Sequence, residues 1–340
     1  MNVTVLGLAY LRSLSPVCTG EQASSPVNCQ LNANCLASQT STGLRTGFLG
    51  NHAPHIFLGY SLRRFLTLLI PLYWLFSAFF FPPAVSAADA QTELRVCLLE
   101  DNLPLSSMKE NNGFDFDTAK AVAGLLNRSF VPVWAKNYTQ IQEIEESDFP
   151  TRKLGRNECD AIFSMPGADA IKDAPKAELG APYYGAAFEL IGAEGATQKN
   201  LHSLGDAPVA IQAQTVANFV LSARKAKIRT FFSVPAALEG INKGEAQLAL
   251  LWGPLAGWHL RNHPEAKLAF VTGYEPPAAV CWNEHVATRK TDTELRTQID
   301  TALAKLTADG TLKTFMERYG IPYHTPFAAT YSYAEILKLK

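Results

Sequence analysis

From Glu93 onward the chain alternates short apolar runs with amphipathic ones, and this alternation constrains the fold more than any other feature of its 340 residues. Leu94-Arg95-Val96-Cys97-Leu98-Leu99 reads as a buried strand that stops at the polar turn Glu100-Asp101-Asn102-Leu103-Pro104. After the Asn112-Gly113 turn, Phe114 opens a helix whose Ala119, Val122, Ala123 and Leu126 recur at helical spacing. Phe130 to Trp134 is a second strand, Ile141 to Arg156 is mostly helical, and Cys159 to Ser164 is a third strand. A βαβαβ order demands a parallel sheet with helices on its faces. Ligands of such sheets bind outside the carboxyl ends of the strands. Asp101 and Asn102 at the first strand end, and Ser164 and Met165 at the third, are therefore expected to face one crevice.

A second series follows a break over 192–205. Pro208 to Gln212 reads as a strand, and Thr215 as the cap of a helix running through Ala226. A helix from Ala236 to Asn242 leads to the strand Gln247 to Trp252, and Gly253-Pro254 turns the chain into another helix through His259. Strands at Leu268 to Thr272 and Val280 to Ala287 precede helices at Asp292 to Thr307 and Leu312 to Tyr319. Gln212, Gln214 and Thr215 lie where a strand ends and a helix begins, and free N–H groups there suit an anion. Thr215 is equally well explained as a plain N-cap. Trp252, at the end of its strand, is placed in the same crevice by the same rule, although a Trp after an apolar strand also suits a core.

Upstream, Arg63 and Arg64 precede an apolar run from Phe65 to Phe81, followed by Pro82, Pro83 and the small residues Ala84-Val85-Ser86-Ala87-Ala88. These are the parts of a secretory signal peptide spanning 61–87, cut before Ala88. The alternative is an uncleaved membrane anchor at 65–81, which its length and Pro71 disfavour. Residues 1–60 are rich in Ser, Thr, Asn and Gly without a hydrophobic period, and we expect translation to begin near Tyr60 to Arg63. Export implies a periplasmic, oxidising compartment. There Cys97, Cys159 and Cys281 of the mature chain suggest one disulfide and one free thiol. Cys97 and Cys159 are the expected pair, because the strands carrying them should be neighbours.

With a formal net charge of -1 and no basic stripe interleaved with aromatics, nucleic acid is not an expected partner. No Cys-x-x-Cys or nucleophile-elbow pattern occurs, so neither a metal nor a cofactor nor a catalytic residue is expected. His259 and His263 share a helix face but lack a third ligand. The acidic run Glu143, Glu145, Glu146 and Asp148 reads as a solvated helix face. Asp115 and Asp117, in the first turn of their helix, read as dipole-stabilised acids.

Taken in order, several short motifs resemble the family 3 extracellular solute-binding proteins, the binding components of polar amino-acid ABC importers. They are Leu94-Arg95-Val96 with its polar turn, Gly113-Phe114-Asp115-Phe116-Asp117, Glu158-Cys159-Asp160-Ala161, Ala181-Pro182-Tyr183-Tyr184 and Ala308-Asp309-Gly310-Thr311-Leu312. The resemblance implies an α/β fold of two lobes, the type II periplasmic-binding-protein-like architecture, with a ligand cleft between them. Lobe 1 would comprise 93–188 plus 276–325 and lobe 2 193–272, and hinge closure would trap the ligand. Tyr183 and Tyr184 would line the cleft or pack the hinge. Leu94 to Cys97, Asn102 to Pro104 and the motif Trp252 to Gly257 resemble, more closely, a subgroup associated with quinoprotein alcohol dehydrogenases.

Two departures from the family bear on the ligand. Residues 165–178 hold Lys172 and Lys176 but no Arg for a bidentate grip on a ligand carboxylate. Trp252 stands where an acid usually receives the ligand ammonium. The expected partner is therefore a small polar solute other than a standard α-amino acid, held for an ABC permease or in support of a quinoprotein dehydrogenase. A sensor or chaperone with a vestigial cleft is the alternative. A dehydratase on the same fold is disfavoured by the missing Arg.

Overall fold

The computed structural model describes residues 93–136 and 148–339, apart from 199 and 203. The leader, the signal segment 61–87 with its anchor alternative, and Glu143, Glu145 and Glu146 lie outside the described residues. No helix among the described residues is long and apolar enough to cross a membrane.

The strands are β1 (Glu93–Leu99), β2 (Asp101–Asn102), β3 (Ser106–Ser107), β4 (Ser129–Ala135), β5 (Ala161–Pro166), β6 (Ala177–Ala193), β7 (Val209–Gln212), β8 (Ile228–Phe231), β9 (Leu248–Trp252), β10 (Leu268–Phe270) and β11 (Cys281–Arg289). Between them lie helices α1 (Phe114–Leu125), α2 (Pro150–Gly155), α3 (Val216–Ala223), α4 (Val234–Asn242), α5 (Gly253–Asn262), α6 (Thr293–Ala308), α7 (Thr311–Arg318) and α8 (Tyr333–Ile336). One hydrogen-bonded path runs β4-β1-β5-β11-β6-β9-β7-β8, with β10 also on β6. Each end of this path is parallel, as the βαβ order requires: β1 between β4 and β5, and β7 between β8 and β9. The middle is antiparallel, where β11 pairs with β5 and β6, and β6 pairs with β9.

The strand β6 has no counterpart in the sequence reading, because Gly180, Pro182, Gly185 and Gly192 interrupt its apolar pattern. Pro182 is accommodated where the β6–β11 register shifts, opposite His285. A residue without an N–H is tolerated at such an irregularity. Seventeen residues long, β6 begins in the first lobe and ends in the second.

Each lobe has its own core. Leu94, Val96, Phe114, Phe163, Leu303 and Met316 belong to the first; Leu190, Val209, Ile211, Val220, Leu221 and Leu250 to the second. Behind the first, Cys97 and Cys159 form a disulfide with Cα atoms 5.6 Å apart, among Leu154, Ile162 and Met165. Cys281 is free and buried. Beside the disulfide, Asp160 accepts from Arg95 at 2.7 Å and from Arg289 at 2.9 Å, tying β1, β5 and β11 together. Burial pushes the Asp160 carboxyl up, but the two guanidinium groups outweigh it and hold the acid below its usual range.

Candidate functional site

The carboxyl ends of β1 and β5 carry the residues expected to face the crevice, and their side chains divide. Asp101 is exposed and Asn102 buried in the small β2–β3 hairpin. Ser164 sits at the end of β5 with φ 50°, a left-handed conformation unusual for a non-glycine residue. Its hydroxyl donates to Asp115 Oδ1 at 2.5 Å and lies 2.8 Å from the Tyr184 hydroxyl and 3.2 Å from that of Tyr183. The Tyr183 hydroxyl also accepts from the Ser164 N–H at 3.1 Å. Ser164, Tyr183 and Tyr184 are thus brought together, but their polar atoms are spent on one another. Met165 points the other way, into the core around the disulfide, 4% exposed.

Asp115 is the centre of that network, not the solvated first-turn acid that its position suggests. Burial pushes its carboxyl up to about 7, against the Ser164 hydrogen bond. Glu284 of β11 is buried as well, and its Oε2 has no hydrogen-bond partner among the described residues. Burial, with Asp115 nearby, raises its carboxyl well above the usual range, and burial raises both tyrosines in the same way. The arrangement is a buried, inward-facing cluster of three hydroxyls and two acids whose carboxyls burial raises.

On the second lobe, Gln212 and Thr215 are buried and Gln214 is exposed with φ 59°. Thr215 occupies the N-cap position of α3, yet its hydroxyl donates to the Gln212 carbonyl at 2.9 Å and makes no cap bond. Trp252 packs against both lobe cores. Its ring centroid is 5.6 Å from that of Phe188 and 5.9 Å from that of Trp282, and those two are 6.2 Å apart. Three rings so close and mutually tilted fill the space between them. Lys176 does not replace the missing Arg, since its ammonium donates to the Gly155 carbonyl at 3.0 Å.

The motif Trp252 to Gly257 has a steric cause. A Cβ on Gly257 would collide with the carbonyl oxygen of Gly320, so α5 of the second lobe meets the end of α7 in the first backbone to backbone. Gly253 is as crowded: a Cβ there would come 2.8 Å from Glu189 Cγ and 2.9 Å from the Ala187 oxygen.

A family model described as bacterial extracellular solute-binding proteins, family 3, matches residues 94–322. The chain belongs to that family. Solved structures similar to this family 3 chain include MxaJ from Methlophaga aminisulfidivorans MPT, at 22% identity and TM-score 0.52, covering 68% of this chain and 99% of that one. The L-cystine solute receptor of Neisseria gonorrhoeae is similar at 19% identity and TM-score 0.58, covering 68% and 94%. Substrate-binding domain 2 of Lactococcus lactis GlnP is similar at 16% and TM-score 0.56, covering 68% and 96%. No curated protein matches. The two-lobed type II periplasmic-binding-protein fold is common to all three.

Several buried or ring-packed residues near these positions of the family 3 chain escaped the sequence reading. Phe188 and Trp282 flank Trp252 from β6 and β11, and no motif marks them. Glu189 is 6% exposed, with its Oε1 2.7 Å from His324 Nε2. Glu189 and Glu284 did carry a usable signal, each being an isolated acid within a buried strand segment. Among the described residues no group of three His, Cys, Asp or Glu is placed to hold a metal; His259 and His263 stack at 4.3 Å, and His263 pairs with Glu265.

Proposed function

We propose that the protein is an exported family 3 binding protein of the periplasm that supports a quinoprotein dehydrogenase by docking to it, with a cleft no longer used for an amino acid. The observation that carries the reading is Trp252, wedged with Phe188 and Trp282 against both lobe cores. Residues 165–178 offer no Arg to grip a ligand carboxylate, and the hydroxyls of Ser164, Tyr183 and Tyr184 are turned toward one another. The motifs of residues 94–97, 102–104 and 252–257 support the same choice through their resemblance to the dehydrogenase-associated subgroup. In this reading lobe 1 is 93–188 plus 276–325, lobe 2 is 193–272, and 61–87 is the export signal.

A second reading retains capture of a small polar solute by hinge closure, for an ABC permease. Exposed Asp101 and Gln214 at strand ends favour it, together with Asn102, Gln212 and Thr215 beside them. Co-purification with a quinoprotein dehydrogenase, run beside a thermal-shift screen of small polar metabolites, separates the two. A stable complex without any metabolite-induced shift is expected. A clear shift with a metabolite and no complex overturns the docking reading in favour of capture.

A further inference from the structure

We propose that residues 323–339 form an intramolecular strap that holds the two lobes in one relative orientation. The family match ends at residue 322, and the chain beyond it runs from one lobe to the other. It leaves the first core at Tyr319 and Ile321. It then crosses both antiparallel strands that connect the lobes. The Gly185 N–H of β6 donates to the His324 carbonyl at 3.0 Å, and His324 Nε2 reaches buried Glu189. The Phe327 ring lies against Gly185, where a Cβ would come 2.5 Å from its Cε2, so this glycine is what admits the aromatic side chain. On β11, Asn283 brackets Phe327 with two bonds, accepting from its N–H at 2.7 Å and donating to its carbonyl at 3.0 Å. Tyr331 continues the crossing with an N–H bond to the Ala278 carbonyl at 2.9 Å.

The far end is fastened to both lobes. Ser332 and Glu335 close a capping box that starts α8. The N–H of Tyr333 donates to Asp169 Oδ2 at 2.7 Å, and Asp169 belongs to the turn that follows β5 in the first lobe. Three residues on, Ile336 is fully buried in the second core, with Val220, Leu221 and Val280. A rotation that parts the lobes must break the Tyr333–Asp169 bond or draw Ile336 out of its core. The Gly257–Gly320 contact and the bond from Arg261 Nη1 to the Glu317 carbonyl, 3.3 Å, resist the same rotation from α5. A hinge that opens and closes around solute needs neither fastening.

A strap of this kind suits docking to a protein partner and is at odds with capture of a solute by hinge closure. Its test places spin labels at Lys120→Cys on α1 and Glu239→Cys on α4, both exposed, in the chain from Ala88 to its C-terminus, which lacks Cys18, Cys29 and Cys35; Cys281 is buried and stays unlabelled. Pulsed electron resonance is expected to report one narrow inter-lobe distance. Removal of residues 323–340 is expected to add distances that the untruncated chain does not sample. Ile336→Asp and Asp169→Ala, which free only the last turn, are expected to broaden the distribution in the same direction and serve if the truncation does not fold. A narrow distribution unchanged by all three alterations overturns the proposal, as does an untruncated chain that already samples two distances.

Discussion

Asp115 stands in the first turn of a helix, where a carboxylate is ordinarily stabilised by exposed N–H groups, yet its side chain is buried against Ser164. Burial pushes its carboxyl up to about 7, whereas the same group in an unfolded chain titrates near ~3.9. Between those values the folded protein keeps a proton that the unfolded chain has released. The stabilisation from this group is therefore complete below about pH 4 and is lost as the pH rises through about 7. Asp115→Asn keeps an acceptor for Ser164 and is expected to flatten that fall and raise the melting temperature at neutral pH; thermal melts at about pH 4.5 and 7.5 check it. Asp160 obeys the opposite rule, being held charged by Arg95 and Arg289. Asp160→Ala leaves the Arg95 guanidinium without its carboxylate, while Arg289 keeps Asp292, and is expected to cost about 1–3 kcal/mol in urea denaturation. At this scale the sequence reading singled out Ser164 from its strand and Tyr183 and Tyr184 from the motif that resembles the family. It could not tell that their hydroxyls face inward, because a strand end or a motif names a location and not the direction of a side chain.

The glycines of α5 show how an element is placed by what touches it. Gly257 has no room for a methyl group because the Gly320 backbone lies against it. Gly257→Ala is expected to destabilise the protein by more than about 2 kcal/mol through forced separation of α5 from α7. Gly124, near the end of α1, has nothing within 4 Å of a Cβ, and Gly124→Ala is expected to stabilise by up to ~1 kcal/mol. Equilibrium denaturation of the two variants side by side separates close packing from helix propensity. Most strands and helices were legible from period and turn chemistry, since each local pattern agrees with the element formed. The reading lacked β2, β3, β8 and α8 as well as β6, and β6 is a continuous strand in hydrogen bonding but broken in composition by Pro182 and its glycines. Pro182 sits at the register shift with β11 and Gly185 admits Phe327, and neither is a local property.

On the scale of the whole molecule, the Cys97–Cys159 bridge closes a loop across 62 residues of sequence separation. Loop-closure entropy of that size is worth ~4 kcal/mol. Reduction is accordingly expected to lower the denaturation midpoint markedly without changing the sheet order, as followed by circular dichroism in urea with and without reductant. The alternation of strand and helix by itself determined the parallel βαβ units at the two ends of the sheet and their helical cover. Those properties follow from periodicity and chain direction, which every residue carries locally. Only the tertiary structure decided that Trp252 packs with Phe188 and Trp282 against both cores, that the acids and hydroxyls around Ser164 turn toward the first core, and that a tail runs from one core to the other. These contacts join residues far apart in the chain, and their energy depends on side-chain direction and on the fit between surfaces, which no local pattern encodes.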